Sequence, residues 1–213
     1  MLSDALGLHP TIFPDATDTT ELALQRFNNR CLFMPDGQRL EPKMFNYREW
    51  SLMPGTFNPP HQGHFGLAHQ VELQYNAPVV FEVCATPPHK PAMTVQQMLQ
   101  RAKLLRGHRV LFTQCPLYLD KARAHFGVPL VVGADALLRL LDPKWGVEIE
   151  PMLQEFDNLC TDFYVGSRMV DGKIVSCDDI KKTIDPKYHH MFWKVFETYD
   201  MTLSSTEIRN KIL

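Results

Sequence analysis

From residue 48 to residue 133 the chain alternates short, nearly unbroken apolar runs with segments of helical period. Residues 48–53, 78–85, 109–115 and 130–133 read as strands, and 61–75, 94–105 and 117–126 as helices. Thr94, with Gln97 three residues on, opens the second helix through a reciprocal cap, and Gly127 closes the third. Strands that are apolar on both faces must be covered on both faces, and strands separated by helices pair in parallel. The expectation is an α/β fold with a parallel sheet covered by helices on both faces. Ligands of such sheets bind beyond the carboxyl ends of the strands, so chemistry is sought in the residues that follow each strand.

Beyond Trp145 the rhythm changes. A helix is expected over 149–158, strands over 162–165 and 173–176 with a turn at Asp171-Gly172, and a helix over 187–197. In that last segment Tyr188, Phe192 and Phe196 recur at helical spacing and read as core, while the adjacent His189 and His190 point in different directions and do not read as a metal pair. Residues 1–46 are broken by Pro10, Pro14, Pro35 and Pro42, with a turn signal at Pro35-Asp36-Gly37 and a short helical stretch over 21–27. They read as an extension of unknown role packed on a domain spanning 47–213.

Composition narrows the function classes. The 213 residues are 45% hydrophobic and 22% charged with a net charge of −2, which gives no electrostatic footprint for nucleic acid or an anionic membrane. No apolar run reaches the ~20 residues needed to span a bilayer, and no basic-then-apolar leader stands at the N-terminus. The five cysteines are scattered, with no C-x-x-C or Cys/His ligand spacing. A reducing, cytoplasmic setting without a protein-held metal is expected.

Residues 53–66 read Met-Pro-Gly-Thr-Phe-Asn-Pro-Pro-His-Gln-Gly-His-Phe-Gly and join the first of the parallel strands to its helix. Gly55 suits a close approach of backbone to ligand, while Pro59 and Pro60 stiffen the turn. His61 and His64 are three apart, so they share a face of the first helical turn beside its unpaired N–H groups. A helix start attracts anions, and two imidazoles there can meet phosphate oxygens. The chain closes with Leu203-Ser204-Ser205-Thr206-Glu207-Ile208-Arg209, a capped helix start whose hydroxyls and guanidinium also suit a polyphosphate. After the second strand comes Pro87-Pro88-His89-Lys90-Pro91, and after the fourth Gly133-Ala134-Asp135, followed later by Trp145. Asp135 either accepts from ribose hydroxyls or caps the next helix; Trp145 either stacks on a flat ring or packs in the core.

The first segment resembles the nucleotidylyltransferase signature Gly-x-Phe-[Asp/Asn]-Pro-x-His-x-Gly-His, with Asn58 at the variable acidic position, and the last resembles its Ile-Ser-Ser-Thr-x-x-Arg, with Leu203 for Ile. The Pro87–Lys90 loop and the Gly133–Asp135 segment are similar to those of nicotinate mononucleotide adenylyltransferases. This resemblance implies a Rossmann-like nucleotidylyltransferase fold and an adenylyl transfer from ATP to nicotinamide or nicotinate mononucleotide, with release of pyrophosphate. It implies His61, His64, Lys90 and Arg209 as catalytic residues. Gly55, Thr56, Phe57, Asn58, Gly63, Ser204, Ser205 and Thr206 would bind ATP, and Gly133, Asp135 and Trp145 the second substrate or a ribose. Mg²⁺ would accompany ATP, held mostly by phosphates and water. The partners implied are small molecules, with a homo-oligomer left open. The bacterial enzymes' Ser-Tyr-Thr segment has no counterpart in the stretch Gln114–Arg123, and their compact form has none for the N-terminal extension. A cytidylyltransferase, a phosphopantetheine-type adenylyltransferase and a nucleotide-binding ATPase or sensor stay open beside the first reading.

Overall fold

In the strand Val79–Cys84 all six residues are buried, and since successive side chains point to opposite faces, both faces of that strand are covered. The computed structural model that shows this describes residues 31–33, 39–40, 49–88, 90–145, 148–196, 202 and 208. In chain order the strands are β1 (Cys31–Phe33), β2 (Arg39–Leu40), β3 (Ser51–Pro54), β4 (Val79–Cys84), β5 (Arg109–Thr113), β6 (Leu130–Gly133), β7 (Phe163–Gly166), β8 (Arg168–Val170), β9 (Lys173–Val175) and β10 (Phe192–Lys194). The helices are α1 (Gln62–Tyr75), α2 (Val95–Leu104), α3 (Tyr118–Ala124), α4 (Ala134–Leu140), α5 (Ile149–Asn158) and α6 (Cys177–Lys181), with 3₁₀ turns at Pro143–Trp145 and Pro186–Met191. The expected strands and helices between 48 and 158 are present, with ends shifted by at most three residues. The fold is the expected Rossmann-like α/β class.

The chain divides into two compact units. The first takes in Pro54–Pro60 and Val80–Tyr118 together with the described strands of the N-terminal region. Here β4 and β5 pair in parallel, from Val80 against Arg109 to Cys84 against Thr113. The N-terminal region adds to this sheet: β1 lies antiparallel on β5, and β2 on β1, flanking the turn signal at Pro35–Gly37. The expected helix over 21–27 lies outside the described residues. Thr94 and Gln97 form the expected reciprocal cap of α2, through Gln97 N–H to Thr94 Oγ1 at 3.2 Å and Thr94 N–H to Gln97 Oε1 at 2.9 Å.

The second unit takes in His61–Val79 and the chain from Leu119 onward, with the strand segment up to Met53. Its four strands lie in the order β10-β7-β6-β3, all parallel. Phe163 anchors the core, edge-on to Phe156 and stacked on Phe192 at 5.1 Å. Gly127, at φ 72°, ends the turn after α3 where a Cβ would fall 1.8 Å from the Leu159 carbonyl oxygen, so the tight approach admits no side chain.

Two expectations are corrected in this unit. Residues 187–197 are not a helix: the Asp185 carboxylate accepts from Lys187 N–H to start a 3₁₀ turn, and the chain then extends as β10 beside β7. The aromatic stripe is accordingly split, with Tyr188 and Phe192 buried and Phe196 63% exposed. The segment 162–165 does not belong with 173–176. As β7 it joins the parallel sheet, and β9 pairs instead with β8 across the two-residue turn Asp171-Gly172. Both turn residues have positive φ, 47° and 75°, the geometry that follows the twist of a tight hairpin. In α1, Leu67, Ala68 and Val71 are buried, but Leu73 faces solvent.

Candidate active site

The Gly-Thr-Phe-Asn loop is held in the first unit by three contacts. Gly55 N–H donates to the Glu82 carbonyl at 3.0 Å, tying the loop to β4. Arg101, on α2 and buried, donates from Nε to the Thr56 carbonyl at 3.0 Å. Phe57, at φ 43°, turns its ring inward, edge-on to Phe81 at 5.2 Å. A Cβ on Gly55 would lie 2.7 Å from that ring. Glycine is required here because the Phe57 ring occupies the space of a side chain, not because Gly55 has a left-handed backbone. Only 1% of Phe57 is exposed, so what it can offer a ligand is backbone. Thr56 is exposed, Asn58 is half-buried, and the Asn58–Pro59 peptide is cis. Lys90 is exposed in the loop that follows β4. Arg101 was not foreseen from sequence; an arginine on the buried side of an amphipathic helix was the available signal.

In the second unit, His61 is the N-cap of α1, with extended backbone, and His64 is its third residue. The His61 N–H donates to His64 Nδ1 at 3.2 Å, and the two rings lie 3.7 Å apart. Because Nδ1 is an acceptor, the proton of the neutral His64 ring sits on Nε2. Burial, then the neighbouring His61, then the Arg168 guanidinium push His64 down to about 3. At neutral pH His64 is therefore an uncharged donor with its tautomer set. Gly63 is buried between the two histidines, and the N–H groups of Gln62 and Gly63 have no carbonyl to meet within the helix.

The same unit brings the end of β6 into this setting. Gly133 is the N-cap of α4 and Asp135 lies in its first turn, so Asp135 does not cap the helix. Its carboxylate oxygens are shared between two arginines, Oδ2 with Arg139 at 2.9 Å and Oδ1 with Arg168 at 3.5 Å. Arg168 opens β8, just past the carboxyl end of β7, which is parallel to β6. A Cβ on Gly133 would lie 2.5 Å from Asp135 Oδ1 and 2.9 Å from Arg168 Cγ. Gly133 is thus bare because both side chains fold over it. Arg168 was missed from sequence, since 168–170 was not read as a strand. Ser204, Ser205, Thr206 and Arg209 lie outside the described residues, as does the side chain of Trp145.

The model of the cytidylyltransferase-like family matches residues 52–211, the greater part of the chain. The chain belongs to the cytidylyltransferase-like family. That match takes in both signature segments, the loop after β4 and the Gly133–Asp135 turn. Over 60 residues the chain is also 33% identical to a probable nicotinate-nucleotide adenylyltransferase of Clostridium botulinum (strain Eklund 17B / Type B). That stretch is 28% of this chain and 30% of the relative, so the chain spans under a third of that protein's length. No helix among the described residues is long and apolar enough to cross a membrane.

Proposed function

We propose that this member of the cytidylyltransferase-like family transfers the adenylyl group of ATP to the phosphate of a pyridine mononucleotide, nicotinamide or nicotinate mononucleotide. An acceptor phosphate oxygen forms the new bond to the α-phosphorus, the bond to the bridging oxygen breaks, and pyrophosphate leaves. The acceptor is already an anion at neutral pH, so catalysis consists of positioning and of meeting charge as it builds. The observation that carries the reading is the His61–His64 pair at the start of α1, with His64 neutral and its Nδ1 held by the His61 N–H. A neutral donor strengthens its hydrogen bond as charge develops on the phosphate, without a fixed cation to trap the ground state.

Lys90 and Arg209 would neutralise the triphosphate, and Ser204, Ser205 and Thr206 would hold its tail. Asp135 would accept from a ribose, Gly133 would leave room for it, and Trp145 would offer a stacking face. The Gly55–Asn58 backbone and Gly63 would line the phosphates. Among the described residues no three His, Cys, Asp or Glu side chains converge on a metal site. Mg²⁺ would come with ATP, bound by phosphates and water. Its contribution would be to neutralise charge on the phosphates.

The family description favours one second reading, a cytidylyltransferase acting on a phospho-alcohol. Incubation with Mg-ATP or Mg-CTP and a panel of mononucleotides, phospho-alcohols and phosphopantetheine separates the cases by pyrophosphate release. Release with ATP only when a pyridine mononucleotide is present supports the first reading. Release with CTP and a phospho-alcohol replaces it with the second, and inorganic phosphate from ATP alone would make the protein an ATPase.

A further inference from the structure

The side chain of Arg168 is 17% exposed, although it carries a permanent charge. Its stem lies over Gly133, where a Cβ would meet Cγ at 2.9 Å, and its Nε reaches Asp135 Oδ1 at 3.5 Å. The other carboxylate oxygen is taken by Arg139, which is 66% exposed and sits one helical turn along α4. An exposed i,i+4 pair of that kind fixes little. The less exposed partner is Arg168, and its charge also acts on the His64 imidazole. Two segments distant in sequence thus meet at one guanidinium, the start of α4 and the start of β8.

We propose that Arg168 is a positioning residue of the transfer site, holding the Asp135 carboxylate in one orientation at the start of α4 while its charge bears on the His61–His64 pair. This rests on the reading of the site as nucleotidyl-transferring. Arg168 need not touch substrate. It orients Asp135 Oδ1, and its standing positive charge opposes protonation of the His64 ring. The directed carboxylate therefore depends on this side chain, and the uncharged imidazole donor depends on it after burial and His61. Lysine keeps the charge but not the forked geometry, so the two roles can be separated.

The test uses the full chain with ring-labelled histidine, the His64 resonances being assigned with a His64→Gln variant. In the parent protein His64 is expected to be the neutral Nε2–H tautomer at pH 5. In Arg168→Met its titration midpoint is expected to rise. In Arg168→Lys it is expected to stay near the parent value. In the pyrophosphate assay both variants are expected to raise the nucleotide KM about tenfold with a smaller change in kcat. The Arg168→Met/Asp135→Asn pair is expected to be no worse than the poorer single variant. An unchanged His64 titration in a folded Arg168→Met protein, or additive losses in the double variant, overturns the proposal. Should Arg168→Met fail to fold, Arg168→Lys decides alone: a kept titration with a raised KM supports it, and parent-like kinetics overturn it. If the parent protein transfers no nucleotide to any acceptor, the functional reading fails while the imidazole spectrum still decides the link between Arg168 and His64.

Discussion

Two residues show how backbone and chemistry are joined in this protein. His64 accepts from the His61 N–H and so presents Nε2–H, a donor that needs no titration to act at neutral pH. His64→Ala is expected to lower kcat by a factor of about 100 to 1000, the range for losing one donor to a developing oxyanion, while the far-ultraviolet spectrum is unchanged. Steady-state pyrophosphate release checks this, and normal turnover would remove His64 from the site. Gly55 is held bare by the Phe57 ring at 2.7 Å from its would-be Cβ. Gly55→Ala is expected to cost about 1–3 kcal/mol, since the buried ring must shift within a packed core. Urea unfolding measures it, and pairing the change with Phe57→Leu is expected to recover part of the loss. Equal stability of Gly55→Ala and the parent would mean that the ring moves freely.

At the scale of elements, β1 and β2 extend the first unit's sheet from a part of the chain without visible chemistry. They cover the edge of β5 along Val110–Phe112. Removing residues 1–46 strips that cover and leaves unpaired N–H and C=O groups on an apolar strand, a template for aggregation. The truncated protein is expected to have a lower Tm and to aggregate with concentration, read by light scattering; a monomeric truncate with the parent Tm would show that β1 adds nothing. The segment after β5 bears on substrate choice in the proposed reaction. It runs Gln114-Cys115-Pro116-Leu117 into α3, without the Ser-Tyr-Thr groups that would meet a nicotinate carboxylate. A site without matched polar contacts cannot strongly reject an isostere, so kcat/KM for the acid and amide mononucleotides is expected to differ less than about a hundredfold. A larger ratio would point to dedicated polar groups elsewhere.

For the whole molecule, the lowered His64 value links the site to stability. An unfolded histidine titrates near 6.5, whereas His64 in the folded chain is pushed down to about 3. Between these values the unfolded state binds the additional proton, so the contribution is fully present above pH 6.5 and is lost as pH falls towards 3. Stability is expected to fall by about 1 kcal/mol per pH unit across that window from this group. His64→Gln is expected to flatten the slope in urea titrations at several pH values, and an identical slope would place the acid sensitivity in other groups. The sequence by itself determined the α/β class, because strand and helix periods between 48 and 133 are local properties of the chain. It also determined the His61–His64 pair, since residues three apart at a helix start must face together. It placed Thr94 and Gln97 as a cap for the same reason. Tertiary structure alone decided what local patterns do not encode. Arg101 reaches Thr56 across 45 positions, and Arg168 meets Asp135 because β6 and β7 lie side by side. Residues 192–194 extend as a strand, against their helical spacing, because pairing with β7 satisfies their backbone and buries Phe192. Such choices turn on contacts between distant segments, whose burial and charge outweigh the small local preferences that a sequence displays.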